Sequence, residues 1–149
     1  MNKRILLILC LIFSISATAC ELNDAPQTKS IISDTTTIPL GGNTFIEPKG
    51  VPNDAISENG ITTWSSEKSA FNIYFKNEKT RTSALYIALL PGEFSSKIRF
   101  TLGGQSQVVQ LTKFQKNPVF IGDFVLTAGY QKLVLEGISK QTNSFAAIS

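Results

Sequence analysis

Residues 70–90 read AFNIYFKNEKTRTSALYIALL, two apolar runs around a polar, charged connection. In the first run Phe71, Ile73 and Phe75 alternate with smaller or polar residues. A period of two marks a strand with one buried face. The second run is apolar on both faces, with Leu85, Ile87 and Leu89 on one and Ala84, Tyr86, Ala88 and Leu90 on the other. A strand of that kind predicts cover on both sides and therefore a layered structure.

The rest of the chain repeats the theme of short strands and tight turns. IPLGGNTFIEP predicts a strand pair or a bulged strand broken at Gly41-Gly42, and KGVPNDAISENG is the longest loop candidate. ITTW is a short strand ending at Trp64, and Pro91-Gly92 marks a turn. In KIRFTL, Ile98, Phe100 and Leu102 point one way, and Gly103-Gly104 reads as a two-residue hairpin turn. VFIGDFVL and YQKLVLEGIS follow, separated by Ala128-Gly129, with Leu133 and Leu135 on one face. The sum is an all-β chain, a β-sandwich (jelly roll) of about eight or nine antiparallel strands over 37–149. No segment holds a helical period.

The first 20 residues read MNKRILLILCLIFSISATAC, with Lys3 and Arg4 ahead of an apolar run and small residues behind it. This is the three-part pattern of a secretory signal, and the apolar run is short for a membrane span. Residues 1–19 are expected to be removed. That leaves Cys20 as the one mature cysteine, and Ala17-Thr18-Ala19-Cys20 resembles a bacterial lipobox with Ala17 in place of the usual Leu. A single thiol in an exported chain has no internal disulfide partner, so lipidation at Cys20 is the preferred expectation and a free secreted thiol the alternative. Residues 20–36, polar and without aromatics, are expected to be a tether between lipid and domain. The expected location is the bacterial cell envelope, at the outer membrane or cell surface, with the membrane as partner through the lipid.

Without Lys3 and Arg4, 12 basic and 11 acidic residues remain. A near-neutral chain argues against nucleic acid as a partner, because phosphate binding needs a concentrated basic surface. The clusters Lys76/Lys79/Arg81 and Lys97/Arg99 read as solvated faces and turn tips. There is no histidine. The commonest general base, the Ser-His-Asp arrangement and His-containing metal sites are thereby excluded. Thiol catalysis and phosphate-cradling glycine loops are missing too. Carboxylate chemistry remains, with Glu47, Asp54, Glu58, Glu67, Glu78, Glu93, Asp123 and Glu136 as candidates, none in a recognisable motif. Asp123 interrupts an apolar strand, which a bulge or an edge position would explain.

IPLGGNTFI at 38–46, ITTWSS at 61–66, VFIGDF at 119–124, GYQKLVLEGISK at 129–140 and Phe145-Ala146 occur in that order. Together they resemble the bacterial family catalogued as domain of unknown function 5077. The resemblance covers the chain from Thr37 to its end. It implies a sandwich similar to the galactose-binding-like jelly rolls that serve as carbohydrate-binding modules. In that family the domain commonly precedes a second uncharacterised domain, number 3472. This chain stops at its last strand, which implies a free-standing version or a shortened reading frame. Sugar-binding jelly rolls often hold a structural calcium. Glu47 is the weak candidate ligand here, but Ala146 and Ala147 stand where a carboxylate would help, so no cofactor or metal is expected.

The first functional expectation is a non-catalytic glycan-binding module, in which an aromatic ring stacks on a sugar face and polar groups bond its hydroxyls. Trp64, Asn59, Tyr74 and Tyr86 are the candidate ligand-binding residues. Trp64 has a competing assignment as a plug between sheets, and Tyr86 in its doubly apolar strand shares it. The second expectation is a structural or assembly module that binds an envelope protein through an exposed apolar patch. The third-ranked is a carboxylate-dependent glycoside hydrolase.

Overall fold

A computed structural model of the chain describes residues 35–149. The expected signal, Cys20 and the tether up to residue 34 lie outside the described residues. Nine strands run through the domain: β1 (Thr44–Glu47), β2 (Ala55–Ser57), β3 (Gly60–Thr63), β4 (Ala70–Asn77), β5 (Arg81–Ile87), β6 (Ser95–Leu102), β7 (Gln105–Thr112), β8 (Val119–Leu126) and β9 (Gly129–Lys140). All pairings are antiparallel.

One layer is a five-stranded sheet in the order β1-β4-β9-β6-β7. Its inner face follows from the alternation in sequence. Phe71 and Ile73 of β4 stand opposite Leu135 and Leu133 of β9, which pair in turn with Phe100 and Leu102 of β6. All six are buried in one core. The β6–β7 hairpin closes at Gly103-Gly104, whose φ values of 58° and 78° suit the primed two-residue turn expected there.

The second layer is built from two smaller sheets, β2-β3 and β5-β8. The last residues of the chain join them. Ile148 exchanges both backbone hydrogen bonds with Ile61 of β3, at 2.8 and 2.9 Å. On its other side Leu90 N donates to Ala147 O at 3.0 Å and Ser149 N to Ala88 O at 2.9 Å. The tail thus lies as a strand between β3 and the continuation of β5, and the layer runs β2-β3-tail-β5-β8. Gly60 (φ 110°) lets this happen, because a Cβ there would collide with the Ile148 carbonyl.

Two expectations are corrected. KGVPNDAISENG is not all loop, since Ala55–Ser57 forms β2 and pairs with β3. The doubly apolar run is also not covered on both faces. Leu85 and Ile87 turn inward, but Ala84 and Tyr86 face solvent, with Tyr86 54% exposed. The layer's inner face meets the core; no strand or loop of the described chain lies over Tyr86.

The two sides of the sandwich differ. On one, Gln105 of β7 caps the free edge of β8: its Oε1 accepts from Val125 N and its Nε2 donates to Val125 O, both at 3.4 Å. This side-chain amide substitutes for a strand partner and blunts the edge. On the other side, a groove of about 470 Å³ runs along the edge of β1, lined among others by Thr44, Phe45, Ile46, Lys49, Ala55 and Ile56.

Candidate functional site

Trp64 is fully buried, at 0% exposure. Its ring centroid lies 4.8 Å from Phe71 (62°) and 4.8 Å from Phe145 (33°), and its Nε1 donates to Ser66 O at 2.9 Å. Both the ring and its one donor are therefore occupied by the protein. Trp64 is corrected from the ligand-stacking role to the plug between layers, for an indole without an accessible face cannot stack on a sugar.

The serines that follow it are structural as well. The Asp54 carboxylate accepts hydrogen bonds from Ser65 N (2.5 Å), Ser65 Oγ (2.9 Å), Ser66 N (3.3 Å) and Ser69 Oγ. Burial pushes the Asp54 carboxyl up, but these four donors together outweigh it and hold the group below its ordinary pKa. Lys140 Nζ donates to Ser65 O and, at 3.0 Å, to Asn143 O. A carboxylate bound on this many sides is a clamp between the β2 approach and the Trp64 segment.

Asn59 is exposed in the β2–β3 turn, its backbone N–H donating to Ser57 Oγ at 3.1 Å. Glu47 is exposed at the end of β1. Among the described residues no three His, Cys, Asp or Glu side chains cluster as metal ligands.

Tyr74 and Tyr86 are exposed, but on opposite layers and hence on opposite outer faces of the sandwich. Each has an aromatic neighbour that sequence reasoning missed. Tyr86 stands across from Phe120, with ring centroids 5.3 Å apart, beside a β-bulge at Leu85/Tyr86. Ala84, Asp123 and Val125 share that face. Asp123 therefore does sit on the outer face of an edge strand next to a bulge.

Tyr74 lies on the outer face of the five-stranded sheet, edge to face with Phe45 of β1 at 5.8 Å and 71°. Phe45 is 56% exposed. Asn72, two residues before Tyr74 in β4, is cross-strand from Phe45 on one side and Val134 on the other. Asn72 is only 2% exposed, yet its Nδ2 has no hydrogen-bond partner among the described residues. A buried polar group normally has one, and leaving it unmet costs roughly 1–3 kcal/mol. The same face carries Lys132 opposite Tyr74, and an Arg99–Glu136 ion pair at 3.4 Å. Two exposed rings and flanking charges form an apolar platform with a few placed polar groups. The alternation in YQKLVLE and TFIE showed which side chains share a face. It could not show that β1 and β9 flank β4.

Residues 38–149 match the family described as "Domain of unknown function (DUF5077)". No curated protein matches the chain. Among solved structures, two crystal structures of exo-β-1,3-galactanase from Phanerochaete chrysosporium with β-1,3-galactotriose are similar, each at 15% identity and a TM-score of 0.44. The match covers 72% of this chain and 25% of each galactanase chain, so this chain spans about a quarter of their length.

Proposed function

This chain belongs to the DUF5077 family, and we propose that it is a non-catalytic glycan-binding module of the bacterial cell envelope. The observation that carries the reading is the exposed Phe45–Tyr74 pair on the outer face of the five-stranded sheet. Tyr74 stacks on the C–H face of a pyranose and Phe45 packs against the sugar's edge. Lys132 and Arg99 border the site. The rings stand on paired strands of a rigid sheet, so little order is lost on binding.

Retention of the purified chain on a glycan array, weakened about tenfold by Tyr74→Ala, is the expected result. Loss of one stacking contact worth about 1.4 kcal/mol gives that factor. Binding to no glycan on the array would sink the reading. Anchoring through Cys20 is part of the proposal: metabolic labelling with a radioactive fatty acid marks the wild type and not Cys20→Ser, and equal labelling of both rejects it.

A second reading rests on the other face. Tyr86, Phe120 and Val125 form an exposed apolar patch on the β5–β8 pair, which suits an assembly module docking an envelope protein. Crosslinking in whole cells that recovers the same partner with wild type but not with Phe120→Asp supports it. An unchanged crosslinking pattern removes it.

A further inference from the structure

We propose that the ligand of the Tyr74 face is an anionic saccharide, a pyranose chain bearing carboxylate or sulfate groups. This rests on the glycan-binding reading and names the class of sugar. The register of β4 and β9 sets Tyr74 across from Lys132 and Lys76 across from Tyr130. All four side chains are exposed on the outer face, Tyr130 at 85%. They form a two-by-two block with tyrosines on one diagonal and lysines on the other. Each tyrosine stands directly opposite a lysine, and directly opposite residues have Cβ atoms roughly 4.5–5.5 Å apart, so one sugar residue can touch a ring and an ammonium together.

The charge in this block is uncompensated. Among the described residues neither Lys76 nor Lys132 lies within ion-pair distance of a carboxylate. Glu136, further along β9, is held by Arg99. Glu47 stands opposite Ala70 at the far end of β1, and Glu78 lies beyond the end of β4. The block lies where the β4–β9 pair runs on past its neighbours, since β1 pairs with β4 only as far as Ile73 and β6 with β9 only as far as Leu133. An ammonium pair set among exposed tyrosines matches an anion on a ring with apolar C–H faces. Charge-assisted hydrogen bonds hold the acid group, while the tyrosines hold the ring.

The test is affinity electrophoresis of the full chain in gels holding polygalacturonate, a sulfated galactan, a neutral β-galactan or polyglutamate. Each mobility is referred to a gel without polymer. Retardation by polygalacturonate or the sulfated galactan is expected, and which one retards distinguishes carboxylate from sulfate. K76Q/K132Q should weaken that retardation roughly tenfold, as for two exposed ion pairs, and Y74A/Y130A should abolish it. All four positions are exposed, so folding is checked by circular dichroism and is expected to be unchanged. Retardation by neutral galactan that K76Q/K132Q leaves intact overturns the anionic class while the glycan-binding reading stands. Equal retardation by polyglutamate shows plain ion exchange and overturns it too. No retardation by any polysaccharide removes both.

Discussion

The ring of Phe145 occupies the space where a side chain on residue 137 would stand: a Cβ built on Gly137 would overlap its Cζ, Cε1 and Cε2 atoms. Phe145 N also donates to Trp64 O at 2.7 Å. The closing aromatic is thus fitted between a bare stretch of β9 and the buried indole.

Gly137→Ala should therefore destabilise the domain by about 1–3 kcal/mol, the usual cost of overpacking a filled core. Denaturant unfolding measures this as a lower midpoint with an unchanged slope. An alanine tolerated within a few tenths of a kcal/mol would mean that Phe145 can move aside.

The tail that carries Phe145 also completes the second layer. Ile148, fully buried and bonded to β3, anchors it. Ile148→Ala should cost about 2–5 kcal/mol. Amide exchange at Ile61, whose N–H donates to Ile148 O, should accelerate with it; unaltered protection there would show that the layer holds without the tail.

Asp54 links stability to pH. Its four donors hold the folded-state pKa below the ordinary value, so the unfolded chain binds the proton more tightly. The stabilisation is fully present above the ordinary carboxylate value and is lost as pH falls through the lower folded one. Wild-type stability should decline below about pH 4 more steeply than that of Asp54→Asn. At neutral pH the variant should be less stable by about 1–3 kcal/mol, because donors lose a charged acceptor. Parallel pH profiles for the two proteins would contradict this.

Trp64 reports on the core rather than on ligand. Its emission should be blue-shifted and shielded from acrylamide, and it should not change when saccharide saturates the Tyr74 face. Quenching by bound sugar would return the indole to the site. Tyr74→Ala should leave this emission and the unfolding midpoint unchanged while weakening retention.

How far the chain alone reveals this arrangement differs from element to element. The turns at Gly103-Gly104 and Ala128-Gly129, and the inward sets Phe71/Ile73 and Leu133/Leu135, were legible because a strand's period is two and glycine marks positive φ. Trp64 was ambiguous, since a lone indole beside a polar loop reads equally as platform or plug. Only Phe71 and Phe145 around it, one local and one from the end of the chain, made it a plug. Tyr86 was misjudged for a related reason. Apolar residues on both faces indicate cover only when some segment is there to supply it, and the described chain places none over β5.

Sequence by itself determined the class of fold and the orientation of nearly every strand residue, because alternation is local and hydrophobic burial acts on it directly. Tertiary structure alone decided which strands are neighbours. β4 and β9 lie far apart in the chain, and β1 further still from β9. Tyr74, Lys132 and Phe45 became one surface only through pairing between distant segments. That pairing is chosen by the whole core at once, as the layers bury their inner faces against each other, and no local pattern encodes it.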